Sequence, residues 1–198
     1  YSMTLGEFRV IFWWEWIHRF LGRLIGILFL LPLIFFTYKL NFKKLINLYL
    51  IFLLICFQGF IGWYMVQSGL IERTDVSHYR LSLHLTLAFI IMILLFWNYL
   101  TYFKNTSYYN GQKLSNFLLI FFIFSLVLQI SLGAFVSGLD AGKIYQTWPL
   151  MGQNYFPDDS NPYELFNLNS FENPSIVQFI HRNLAYFVFI IFVYILIK

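Results

Sequence analysis

Five apolar stretches of the length a bilayer demands constrain this chain more than anything else in it. They fall at about residues 11–38, 45–66, 77–102, 114–135 and 176–198. A hydrocarbon core about 30 Å thick is crossed by about 20 helical residues. No water reaches the backbone there, so a spanning segment must satisfy its own N–H and C=O groups, as a helix does. Only 11% of the 198 residues are charged, against roughly 25% in a soluble domain. These runs exclude a soluble fold. The expected fold class is all-α: a polytopic membrane helix bundle with five visible transmembrane helices. It forms a single membrane domain, residues 1–198, with an outer loop over 138–174. Membrane lipid is one partner, and nucleic acid is not expected as another.

Taken in order, Thr4-Leu5-Gly6-Glu7 has the form of a capping box, in which the first and fourth side chains satisfy each other's backbone N–H. A helix from there to Leu40 is about 54 Å long at 1.5 Å per residue. Its first three turns or so then stand outside the membrane, with His18 just inside the outer boundary. Pro32 lies within it and is expected to kink it. Cys56 is the only cysteine. It allows no internal disulfide and reads as a small buried hydrophobe. No signal peptide is visible, and the chain runs from Tyr1 to Lys198 in mid-architecture, so the expectation is a piece truncated at both ends.

Charge gives the orientation. The turns at 39–44 and 104–113 lie on one side and hold Lys39, Lys43, Lys44, Lys104 and Lys113 with no acid. All nine acidic residues fall on the other side, among them Glu7, Glu15, Glu72, Asp75, Asp140 and Glu172. Cytoplasmic turns are the lysine-rich ones. His18, His78, His84 and His181 then all lie near the outer ends of spans. The loop 138–174 holds four of the five prolines and the aromatics Tyr145, Trp148, Tyr155, Phe156 and Tyr163. Either it packs as a lid or it forms an interfacial aromatic belt.

Histidines at one depth on different helices suit a haem iron held by two axial imidazoles. His18 and His84 meet that need if the first and third spans are neighbours. His78 is turned about 120° from His84 and is the weaker candidate. There is no Cys-x-x-Cys-His for c-type attachment. Arg19, Arg80 and Arg182 each lie beside or one turn from a histidine. Their guanidinium groups match propionate carboxylates, or they snorkel to the interface. In Trp14-Glu15-Trp16-Ile17-His18-Arg19, the carboxylate is one turn from the imidazole, placed to move protons. The apolar neighbours Phe12, Trp14 and Trp16 are expected to raise its pKa unless Arg19 or Arg80 pairs with it.

Two stretches recur. Trp16-Ile17-His18-Arg19 is echoed by Phe179-Ile180-His181-Arg182, and Gln58-x3-Gly62 by Gln129-x3-Gly133. A duplicated four-helix unit follows, with a histidine on its second and fourth helices. The visible helices are then the second to sixth of eight, and the partner of His181 lies beyond them.

These residues resemble the haem A synthase family. The resemblance rests on Glu15-Trp16-Ile17-His18-Arg19, Gly62-Trp63-Tyr64-Met65-Val66 with Ser68-Gly69-Leu70, and Val76-Ser77-His78-Tyr79-Arg80-Leu81-Ser82-Leu83-His84. It continues through Gly133-Ala134-Phe135-Val136-x-Gly138-Leu139-Asp140-Ala141-Gly142, Thr147-Trp148-Pro149-Leu150-Met151 and Gln178-Phe179-Ile180-His181-Arg182. These pieces stand in family order over nearly the whole chain and look like the proteobacterial and mitochondrial branch. The resemblance implies eight helices in two pseudo-symmetric four-helix bundles. It implies an oxidoreductase that turns a methyl of haem O into the formyl of haem A for cytochrome oxidase. Haem O is then the substrate and haem b the resident cofactor. It implies that Glu15 is catalytic and that His18, His84 and His181 are iron ligands; Arg19, Arg80 and Arg182 are the candidate haem-binding arginines on the propionate reading above. The setting implied is the bacterial inner membrane, with the histidine sites toward the periplasm. A haem O synthase and further copies of the chain are candidate partners, and the electron donor stays open. Two alternatives remain: a di-haem b-type electron-transfer cytochrome, and a membrane scaffold or transporter without haem.

Overall fold

The computed structural model describes residues 3–67, 76–102 and 114–198. Ser68-Gly69-Leu70, the polar loop with Glu72, Arg73 and Asp75, and the turn with Lys104 and Lys113 lie outside the described residues. Five long helices follow one another: α1 (Leu5–Lys39), α2 (Phe42–Gln67), α3 (His78–Tyr102), α4 (Asn116–Gly138) and α5 (Pro174–Ile197). Each is long and apolar enough to cross a membrane. No strand occurs among the described residues. Three short 3-10 turns, Ala141–Lys143, Pro162–Phe166 and Leu168–Glu172, shape the connection between α4 and α5.

Thr4 caps α1 as a box: its Oγ1 accepts from the Glu7 N–H at 3.3 Å, and Glu7 Oε2 accepts from the Thr4 N–H at 2.8 Å. The 35 residues of α1 span about 52 Å, well beyond a core of about 30 Å. The helix continues through Pro32, with Thr37 Oγ1 donating to the Leu33 carbonyl at 2.7 Å. That hydroxyl also meets Tyr49 OH at 2.5 Å, which ties the C-terminal end of α1 to α2.

Helices pack against their neighbours in the chain: α1 on α2, α2 on α3, α3 on α4, α4 on α5. The α3–α4 seam is built from small polar residues, which let membrane helices approach and bond across the gap. Ser82 Oγ donates to the Ser131 carbonyl at 3.0 Å, and Thr86 Oγ1 meets Ser131 Oγ at 2.8 Å. At the outer end of this seam a Cβ on Gly138 would stand 2.7 Å from His78 Cβ and 2.9 Å from its Cα. Only glycine permits that contact.

Elsewhere the bundle shows apolar side chains outward. Cys56, expected to be buried, is exposed on α2. The expectation came from soluble proteins, where an apolar side chain gains by leaving water. On a spanning helix the outer medium is itself apolar, so that gain disappears.

The α4–α5 connection is a folded cap seated on the first turns of α5. Asn173 caps that helix through Oδ1, which accepts from the Ser175 and Ile176 N–H groups, and Pro174 fits its first turn. Met151 and Pro157 of the cap are buried together with Ile176 and Val177. Phe156 meets Phe179 edge to face, with ring centroids 4.9 Å apart. Asp159 Oδ2 accepts from Ser175 Oγ at 2.7 Å. Within the cap, Gly152 has φ +84°, and a Cβ there would land 2.0 Å from Asp158 Oδ2.

Candidate functional site

The structure brings His18 of α1 and His84 of α3 together, with ring centroids 6.3 Å apart and planes at 69°. Rings at that distance and angle lie within the range of an edge-to-face pair, and two imidazole–metal bonds of about 2 Å each, with the ring radii, would span a similar distance. α2 forms the back wall. Gln58 Nε2 donates to the His84 carbonyl at 2.9 Å and lies 3.3 Å from its ring Nε2. Gly62, one turn on, makes space: a Cβ there would stand 3.0 Å from His84 Cε1. Nδ1 of His84 is buried with no hydrogen-bond partner among the described residues. An imidazole pair at this spacing, His84 half-buried and His18 exposed, with a ring nitrogen of His84 unpaired, is a donor set that suits haem iron.

His181 of α5 has the same surroundings on the other side of the bundle. Gln129 Nε2 of α4 donates to the His181 carbonyl at 3.2 Å and stands 3.1 Å from Nδ1 and 3.2 Å from Nε2. A Cβ on Gly133 would lie 3.3 Å from Cε1. No second histidine faces His181 among the described residues. Local geometry therefore matches α2–α3 to α4–α5, a repeat of helix pairs with His84 and His181 as counterparts. The sequence echo had matched His181 to His18.

Over its whole length, residues 1–198, the chain matches the family model COX15-CtaA, described as cytochrome oxidase assembly protein. It belongs to that family. Curated relatives include the heme A synthase of Pelagibacter ubique (strain HTCC1062), 52% identical over 94% of this chain and 55% of the relative. Those of Bartonella tribocorum and Agrobacterium fabrum are 46% and 44% identical over 96% and 95% of the chain, covering 54% and 52% of their own length. The chain spans about half the length of the curated relatives it matches. No solved structure matches it. This member of the cytochrome oxidase assembly family is a multi-pass membrane protein.

In this family member the charged residues around the two histidine sites are engaged differently. Arg19 Nη2 donates to Glu15 Oε2 at 2.7 Å, with both side chains more than half exposed. This is the pairing named as the exception to an apolar Glu15. Such an exposed i,i+4 pair contributes about 0–1 kcal/mol, so it opens at little cost. Arg80 Nη1 donates to the Tyr64 carbonyl at 2.7 Å, and its guanidinium stacks 3.7 Å from the Tyr64 ring centroid. Arg182 Nη1 and Nη2 donate to the cap carbonyls of Thr147 and Tyr145 at 2.9 and 2.6 Å. Arginine carries five N–H donors, so Arg80 and Arg182 keep donors beyond those bonds. His78 belongs to neither site. It is buried against Tyr79 and Phe135, with Nε2 3.6 Å from Glu172 Oε2.

Sequence reasoning missed the part played by Gln58 and Gln129. Their spacing to Gly62 and Gly133 was visible, but the target of the amides was not. It also missed the α5 residues that seat the cap. Gln178 Nε2 donates to the Tyr145 carbonyl at 2.9 Å, Asn183 Oδ1 accepts from Tyr155 OH at 2.5 Å, and Tyr186 OH accepts from Trp148 Nε1 at 2.7 Å.

Proposed function

We propose that this chain carries the substrate site of a haem A synthase, which oxidises a methyl group of haem O to the formyl group of haem A. The observation that carries the reading is the His18–His84 pair, 6.3 Å between ring centroids, in a chain whose relatives bear that name. His18 and His84 would hold the iron of the substrate porphyrin. With oxygen taken from water, each of two hydroxylations of the methyl carbon releases two electrons to an external acceptor and two protons, and the resulting gem-diol loses water to leave the formyl. Protons must depart at each oxidation, and Glu15 stands one helical turn from His18 to accept them. Arg19 and Arg80 bind propionates at the outer rim, where their spare donors suit carboxylates.

His181, with Arg182 beside it, holds a resident b-type haem whose second ligand comes from a helix outside these five. That haem supplies electron transfer when bound. The whole protein is then eight helices in two four-helix bundles, in a bacterial inner membrane. The lysine turns lie inside and the histidines face the periplasm. A haem O synthase, which makes the substrate, and further copies of the chain are the candidate partners.

The competing reading is a di-haem electron-transfer cytochrome, and Glu15 separates the two. Electron transfer alone has no use for a carboxylate one turn from a ligand. The test is mass analysis of haem extracted from the full-length protein and from its Glu15→Gln variant. We expect haem O and haem A beside haem B in the first, and haem O without haem A in the second. Haem B alone in both would establish the cytochrome, and no haem in either would favour a scaffold or transporter.

A further inference from the structure

We propose that Gln58 and Gln129 are positioning residues, each holding the imidazole of one haem-ligand histidine through a side-chain amide anchored on that histidine's own carbonyl. The inference rests on the haem-ligand reading of His84 and His181 and goes beyond it. Both glutamines lie on the helix preceding their histidine, and both have a glycine four residues on that opens space for the ring. The same three parts occur twice, on α2–α3 and on α4–α5.

At His181 the contact leaves the in-plane nitrogen lone pairs free, and at His84 Gln58 approaches Nε2 at 3.3 Å while Nδ1 stays unpaired among the described residues. Gln129 Nε2 is almost equidistant from the two ring nitrogens of His181, at 3.1 and 3.2 Å. A point in the ring plane that near to both would collide with a ring carbon. The amide nitrogen therefore lies over the ring face, where an N–H meets the π system. The in-plane lone pair needed for iron remains available. One amide hydrogen goes to the backbone carbonyl, which fixes the amide, and the other faces the ring. A ring so clamped loses rotational freedom before iron arrives, as residues behind metal ligands do elsewhere.

A packing role would be filled more easily by leucine. Oε1 of Gln58 and Oε1 of Gln129 are both buried with no hydrogen-bond partner among the described residues. An unsatisfied buried acceptor is a cost that a packing residue would avoid. Its presence at both equivalent positions points to the amide N–H as the useful group.

The experiment uses the full-length protein loaded with haem, with Gln58→Leu and Gln129→Leu compared by haem titration, low-spin electron paramagnetic resonance and redox titration. Gln58→Leu should weaken haem binding at the His18–His84 site about 10–100-fold and shift that haem's resonance while sparing the other. Gln129→Leu should do the converse. Wild-type signals, potentials and affinities in both variants, with His84→Ala and His181→Ala each losing a haem, would overturn the inference and spare the ligand reading. Haem retained in His84→Ala or His181→Ala would overturn the ligand reading itself. If a leucine variant does not fold, Gly62→Ala and Gly133→Ala decide. Each pushes a methyl onto the clamped ring and should shift the same signal, and an unshifted signal would overturn the clamp.

Discussion

The two histidine sites share a back wall and differ in everything outside it. Behind His84 stand Gln58 and Gly62; behind His181 stand Gln129 and Gly133. In front of His84 is a second histidine, on a helix that packs on α2 and carries an exposed Glu15–Arg19 pair. Over His181 lies the cap, bonded to Gln178, Arg182, Asn183 and Tyr186. The difference teaches that one local unit stands in two settings. The glutamine–glycine wall is constant, and what is placed beside it changes: an exposed ion pair at one site, bonds to the cap carbonyls at the other.

The sharpest break of that comparison is removal of each ligand in turn. His84→Ala should remove the substrate haem and abolish haem A formation. His181→Ala should remove the other haem and leave haem O bound. Each loss should exceed the roughly 10–100-fold typical of a residue behind a ligand, and the haem content of the purified full-length variants measures it. Loss of both haems in either variant would mean that the sites are not separate.

Next come the two arginines. Arg182→Ala removes two charge-assisted donations to cap carbonyls, each worth about 1.5–3 kcal/mol. The 138–174 segment should become several-fold more sensitive to protease. Arg19→Ala removes an exposed pair and should change stability by less than about 1 kcal/mol. Equal effects on stability would erase the contrast between the two settings.

A smaller effect is expected inside the cap. Gly152→Ala puts a side chain at positive φ, costing about 1–2 kcal/mol, and drives it into the Asp158 carboxylate. Faster amide exchange at Gln153 and Asn154 would report it, with no change at α1.

The smallest effect is a dependence on pH confined to the cap. The Gln153 N–H, and after it the Asn154 side chain, hold the Asp158 carboxyl below its ordinary value. Because the folded value is the lower one, this contribution is complete above the unfolded value of about 3.9 and is lost as pH falls through the folded value. Exchange at those amides should rise on acidification, and Asp158→Asn should remove the dependence. An unchanged dependence in that variant would assign it to Asp159, whose carboxyl is also held below its ordinary value.

Much of the fold was legible because hydropathy over twenty residues is a one-dimensional signal. The capping box at Thr4, the five helices and the long polar connection could all be read from residue order. The meeting of His18 and His84 was anticipated from common depth alone, since helix length in a bilayer sets where a residue stands along the axis. Rotation about that axis is another matter. Cys56 was placed inward and lies outward, because on a helix bathed in lipid an apolar residue carries no instruction about which way to face. Arg182 was read as a propionate donor, and in the structure it also secures the cap, whose backbone carbonyls leave no trace in residue identity.

By itself, then, the sequence determined the class, the number and order of apolar helices, the end at which the histidines gather, and the family. These depend on composition along a segment and on residue spacing. The tertiary structure decided which histidines face each other, that the two Gln-x3-Gly stretches contact His84 and His181, and that the 138–174 loop seats on α5. Those depend on directional contacts of a few ångströms between segments distant in the chain. A hydrogen bond needs its partner at one place and angle, and only the packed bundle supplies that.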